Sequence, residues 1–149
     1  MKAVALAVAL AALGIAVFAL VRTFVGAPEY TDAQRADAAA GICAAFDTVR
    51  TGVATNTNLT PPDDVSGALA TAANARVALF DGGQYLLARL DPATPPELGD
   101  AVRRFADTLL DIGANATAGL PNSDPGQAAR LDEAETAADT VARLCASRG

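Results

Sequence analysis

Hydrophobic positions divide this chain into two unlike parts. From Ala3 to Val21 the sequence is apolar for 19 residues without interruption, whereas beyond Pro28 apolar residues recur every three or four positions among polar ones. The first pattern, bounded by Lys2 and Arg22, predicts a helix about 30 Å long, the thickness of a bilayer's hydrocarbon core. The second predicts amphipathic helices that each bury one face. Residues 1–26 are therefore read as a membrane anchor and residues 27–149 as a separate helical domain.

Four helices can be delimited in that domain. Thr31-Asp32-Ala33-Gln34 has the form of a capping box, and Ala39, Ile42, Phe46, Val49 and Val53 make one stripe behind it, ending near Asn56-Thr57-Asn58. Thr60-Pro61-Pro62-Asp63 and Thr94-Pro95-Pro96-Glu97 each offer a hydroxyl for the N-cap, Pro where a missing N–H is harmless, and an acid near the positive end of the dipole. They are read as the starts of the second and third helices. Val65, Leu69, Ala72, Arg76 and Leu79 form the second stripe, which meets Gly82-Gly83, where a kink or stop is expected. Leu98, Val102, Phe105, Leu109, Ile112 and Ala116 form the third, ending at Gly119. Asp124-Pro125-Gly126-Gln127 opens the last, with Leu131, Ala134, Ala138, Val141 and Cys145 on its stripe. The predicted fold is all-α: a transmembrane helix followed by an up-down four-helix bundle.

Composition changes this picture in one respect. Alanine supplies 37 of the 149 residues, and an Ala-rich stripe buries little area, so the helices must approach closely and gain little from each contact. A covalent brace would compensate. Short connections make neighbouring helices antiparallel, which brings the first and fourth together, and with them Cys43 beside Ile42 and Cys145 at the end of the fourth stripe. A Cys43–Cys145 disulfide is expected, the sulfurs meeting at the membrane-proximal end. Closing a loop of roughly 100 residues would contribute about 4 to 5 kcal/mol by the loop-entropy argument.

The same pair bears on compartment. Flanking charge leaves orientation open, because Lys2 and the terminal amine face Arg22 and Arg35 across the apolar run. Paired cysteines behind an N-terminal hydrophobic segment belong to an oxidising compartment, which puts the domain on the extracytoplasmic side of a bacterial cytoplasmic membrane. Val17-Phe18-Ala19 could serve as a signal-peptidase site, but the apolar run continues past it, which favours an uncleaved signal anchor. Cleavage would change the tether and not the compartment.

Charge and chemistry exclude more than they assign. The net charge is −6, and since the first 26 residues hold Lys2, Arg22 and no acid, the domain carries 9 bases against 17 acids, or −8. Such a domain is a poor partner for nucleic acid. Arg103 and Arg104 are read as a solvated face, with Asp100 one turn before Arg104. The chain has no His, and so lacks the usual general base and the commonest zinc ligand. No CxxC or neighbouring His lowers a thiol pKa, which makes the cysteines structural rather than catalytic. Asp107 and Asp111, with Asp132, Glu135 and Asp139, lie beside apolar stripes within reach of Arg103, Arg130 and Arg143, and read as salt-bridged surface rather than metal ligands. No cofactor, metal or catalytic residue is expected.

Gly41–Arg50 (GICAAFDTVR), Ala73–Leu79 (ANARVAL), Tyr85–Leu98 (YLLARLDPATPPEL) and the closing Leu144-Cys145 resemble a group of uncharacterised alanine-rich, single-pass membrane proteins of mycobacteria and related actinobacteria. The resemblance covers most of the domain and implies an anchor plus helices in the cell envelope, without an activity to transfer. The expected function is non-catalytic: an interaction or accessory subunit of an envelope or membrane complex, attached to the membrane through residues 3–21. The alternative is a carrier of a lipid or other hydrophobic ligand, held in a cleft left by small Ala side chains and the Gly82-Gly83 break.

Overall fold

The structure is a computed structural model in which residues 12–18 and 29–148 are described. The chain divides after Tyr30 into two units. In the first, α1 is helical over the described residues 12–18, with Leu13, Ile15, Val17 and Phe18 exposed. Most of the anchor expected at residues 3–21 lies outside the described residues. Among the described residues no helix is long and apolar enough to cross a membrane.

The second unit holds α2 (Asp32–Thr57), α3 (Val65–Arg89), α4 (Pro96–Thr117) and α5 (Pro125–Ala146). Connections of six or seven residues fold them up and down into a bundle in which α3 packs on α2 and α4, and α5 packs on α4. The seam between α2 and α5 is much the least extensive of the four. The core is built from Ile42 and Phe46 of α2, Leu86 of α3, Leu98, Val102, Leu109 and Ile112 of α4, and Val141 of α5, all essentially inaccessible to solvent. The Phe46 and Phe105 rings meet edge to face with centroids 5.4 Å apart.

Helix α2 starts as its sequence predicts. The Thr31 hydroxyl accepts from the Gln34 N–H at 3.2 Å, and the Gln34 side chain accepts from the Thr31 N–H at 2.9 Å. Asp124 caps α5 by accepting from the Gly126 and Gln127 N–H groups. Helix α4 ends at Thr117, and Gly119, at φ +93°, turns the chain in the left-handed region that glycine tolerates.

Two expected caps are different. At α3 the cap is Asp64, whose carboxylate accepts from the Gly67 N–H at 2.8 Å, and not Thr60. Each proline holds its predecessor extended, so Pro61 and Pro62 delay the helix until an acidic side chain is in position. At α4 the N-cap position falls to Pro95, which has no side-chain acceptor, and Pro96 is the first helical residue. Thr94 is left one residue too early, its hydroxyl buried without a hydrogen-bond partner. The turn before it is held by Asp91, whose carboxylate accepts from the Ala93 N–H at 2.7 Å.

Of the kink or stop expected at Gly82-Gly83, the stop does not occur. Helix α3 runs unbroken to Arg89, with both glycines buried. A Cβ on Gly82 would lie 2.8 Å from Val49 Cγ1, and one on Gly83 would lie 2.8 Å from Leu110 Cγ and 2.9 Å from the Ala106 carbonyl oxygen. These glycines are points where α2 and α4 close onto α3, and packing outweighs the loss of about 1 kcal/mol per glycine in helix propensity.

Candidate binding cleft

Cys43 and Cys145 are joined by a disulfide, with Cα atoms 5.8 Å apart. The bridge ties α2 to α5 across the sparse seam, and it is the kind of bond an oxidising, extracytoplasmic compartment permits. Its position is more specific than the sequence suggested. Cys145 is the next-to-last residue of α5, but Cys43 sits about 16 Å beyond the start of α2, so the early turns of α2 run past the bridge with residues 31–37 exposed. Whether this end faces a membrane concerns residues outside those described.

Beyond the bridge α2 and α5 part. Arg50 and Asp139 still reach across the seam at 3.9 Å, and then a cleft of about 840 Å³ opens between the second half of α2 and the first half of α5. Its floor is Phe105, Leu109, Ile112 and Ala116 of α4; Ala72, Ala75, Arg76 and Leu79 of α3 form one wall, and Leu131, Ala134 and Ala138 of α5 the other. The lip is Thr57 and Asn58 on one side and Gly119–Asn122 on the other. Alanine explains the space: a methyl side chain at 54, 72, 75, 134 and 138 does not reach across the seam that a larger residue would fill. The volume is within the usual range for small-molecule sites.

Two polar side chains at the lip are engaged by carbonyls of α2. The Thr57 hydroxyl donates to the Val53 carbonyl at 2.8 Å, and the Asn58 amide nitrogen donates to the Ala54 carbonyl at 2.9 Å. Glu135 and Asp139 are exposed on the α5 rim. Beneath the cleft, fully buried Gln127 donates from Nε2 to the Ile112 carbonyl at 3.0 Å and fastens α5 to α4, a contact between residues 15 apart that no local pattern marks.

The second stripe is in phase with this cleft rather than with the core. Of Val65, Leu69, Ala72, Arg76 and Leu79 only Leu79 is buried, while Val65 is 77% and Leu69 65% exposed. Leu59 and Leu120, exposed at 47% and 36%, add to the apolar surface at this end.

The carboxylates singled out in the sequence do not converge. Asp107 and Asp111 line a shallow charged groove with Arg103, Arg104, Arg130 and Glu133, whereas Asp132, Glu135 and Asp139 are exposed on α5. Among the described residues no three His, Cys, Asp or Glu side chains are grouped to hold a metal ion. Asp100 pairs with Arg103 at 2.7 Å, three residues on, and not with Arg104. Arg143 donates to the Asp139 carbonyl and the Thr140 hydroxyl on its own helix. No family model, curated protein or solved structure matches the chain.

Proposed function

We propose that this chain is a non-catalytic, membrane-tethered protein of the cell envelope whose helical domain binds a hydrophobic ligand in the cleft between α2 and α5. The observation that carries this reading is the cleft itself: 840 Å³ of space with an apolar floor of Phe105, Leu109 and Ile112, Ala- and Leu-bearing walls and a polar rim, inside a bundle otherwise closed by a disulfide. The tether is the apolar run of residues 3–21, and the bridge fits an exported domain. The likeness to actinobacterial single-pass proteins agrees with that setting.

Native mass spectrometry of the full chain, released from its own membranes in a mild detergent, tests this. The expected result is a bound species of lipid mass that is lost when Ala134→Phe fills the cleft. A spectrum of protein alone in repeated preparations, with the same lipids present in the extract, would contradict it.

A second reading, an accessory subunit gripping another envelope protein, is favoured by Val65, Leu69 and Leu59, which stand exposed beyond the cleft's lining. Affinity purification distinguishes them: a stoichiometric protein partner lost on Leu69→Asp supports the subunit, and its absence leaves the ligand reading alone.

A further inference from the structure

The cleft has an internal polarity that a purely apolar ligand would leave unanswered. Arg76 projects from the α3 wall, half-buried, one turn from both Ala72 and Leu79, and makes no ion pair or hydrogen bond among the described residues. The other charges around the cleft are more exposed to water. Arg50 faces Asp139 across the seam at 3.9 Å, and Glu135 and Asp139 stand in solvent on the rim. A partly desolvated guanidinium with five free donors is matched by a carboxylate or phosphate, whose charge-assisted hydrogen bonds are the strong ones.

Size narrows the class of occupant. The α4 floor from Phe105 to Ala116 is about 16 Å long, so the 840 Å³ forms an elongated trough along it, a shape that suits an extended alkyl chain. Direction follows from register. Leu79 lies against Gly113, so Arg76, one turn earlier on the antiparallel helix, is level with the last turn of α4 at the mouth.

We propose that the cleft is a site for single-chain amphiphiles with an anionic head, the head held at the mouth by Arg76 and the chain running inward over Ile112 and Leu109 toward Phe105. This deepens, and rests on, the reading of the cleft as a hydrophobic-ligand site.

The test uses the full chain in lipid nanodiscs with three photoreactive diazirine probes of equal chain length: hexadecanoic acid, hexadecyl phosphate and hexadecanol. Both anions are expected to label peptides of the cleft wall at about tenfold lower concentration than the alcohol. Arg76→Gln removes that preference without moving the thermal unfolding midpoint, and Arg76→Lys restores part of it. A preference for the carboxylate identifies a free acid, and one for the phosphate a lipid-phosphate head; either upholds the site. Equal labelling by all three probes, or a preference that survives Arg76→Gln, overturns the anionic-head assignment and leaves the hydrophobic site standing. Absence of cleft labelling by every probe removes both.

Discussion

At one end of the bundle the helices close on Ile42, Phe46, Leu98, Val102 and Val141, with a disulfide fastening α2 to α5. At the other the same helices part, and Leu59, Val65, Leu69 and Leu120 face solvent around a cleft. Both ends are built from apolar stripes at helical spacing. Where α2 faces α5 they differ in residue size: Ile42, Phe46 and Val141 fill the closed end, whereas Ala54, Ala134 and Ala138 leave the open end unfilled. The bridge makes that difference tolerable, because it holds the sparse α2–α5 seam where side chains alone give little.

Substitutions at the closed end should be felt most. Replacing Cys43 and Cys145 with Ser should lower stability by about 4 kcal/mol and the unfolding midpoint by about 15 °C, as read by thermal circular dichroism of oxidised protein against the double variant. A shift of only a few degrees would mean that side-chain packing holds the seam without the bridge. Phe46→Ala should cost about 3 to 4 kcal/mol in denaturant titration, since it empties the centre of the core and removes the edge-to-face pair with Phe105.

A glycine pair sharpens the comparison. Gly83→Ala should destabilise by about 1 to 2 kcal/mol despite alanine's higher helix propensity, because the new methyl meets the Ala106 carbonyl and Leu110. Gly41→Ala, with nothing within 4 Å, should stabilise by about 0.5 to 1 kcal/mol. If both changes stabilised, α3 would not be held as closely by α4 as described.

The open end should respond little. Asp64→Ala is expected to cost about 1 kcal/mol through loss of the α3 cap, while Thr60→Ala changes stability by less than about 0.5 kcal/mol. The reverse order would return the cap to Thr60. Leu69→Ser, at a site 65% exposed, should be neutral within about 0.5 kcal/mol.

The same contrast explains what the sequence made legible. The Thr31–Gln34 box, the Asp124 cap and the α4 stripe were readable because a cap is local and α4 is packed along its length. The Cys43–Cys145 pairing was readable because short connections force α2 and α5 to be antiparallel neighbours. Three features were not. The Thr-Pro-Pro motifs look alike, yet the residue that caps depends on how far two prolines extend the chain, and that differs between Asp64 and Pro95. Gly82-Gly83 carries the mark of a break, and only its neighbours in α2 and α4 turn it into a packing site. The stripe from Val65 to Leu79 identifies an apolar face but not whether another helix covers it. The cleft, which depends on that missing cover, was foreseen only as an alternative and at the wrong place.

Amide hydrogen exchange along α3, in the full chain held in nanodiscs, tests the division of the bundle most directly, because this one helix passes from the open end to the closed one. The amides of residues 69–77 should exchange at least about a hundredfold faster than those of 79–88, and hexadecanoic acid should slow the first group while leaving the second unchanged. Equal protection along the helix before the acid is added, or no change in the first group afterwards, would contradict an open cleft that takes up a ligand.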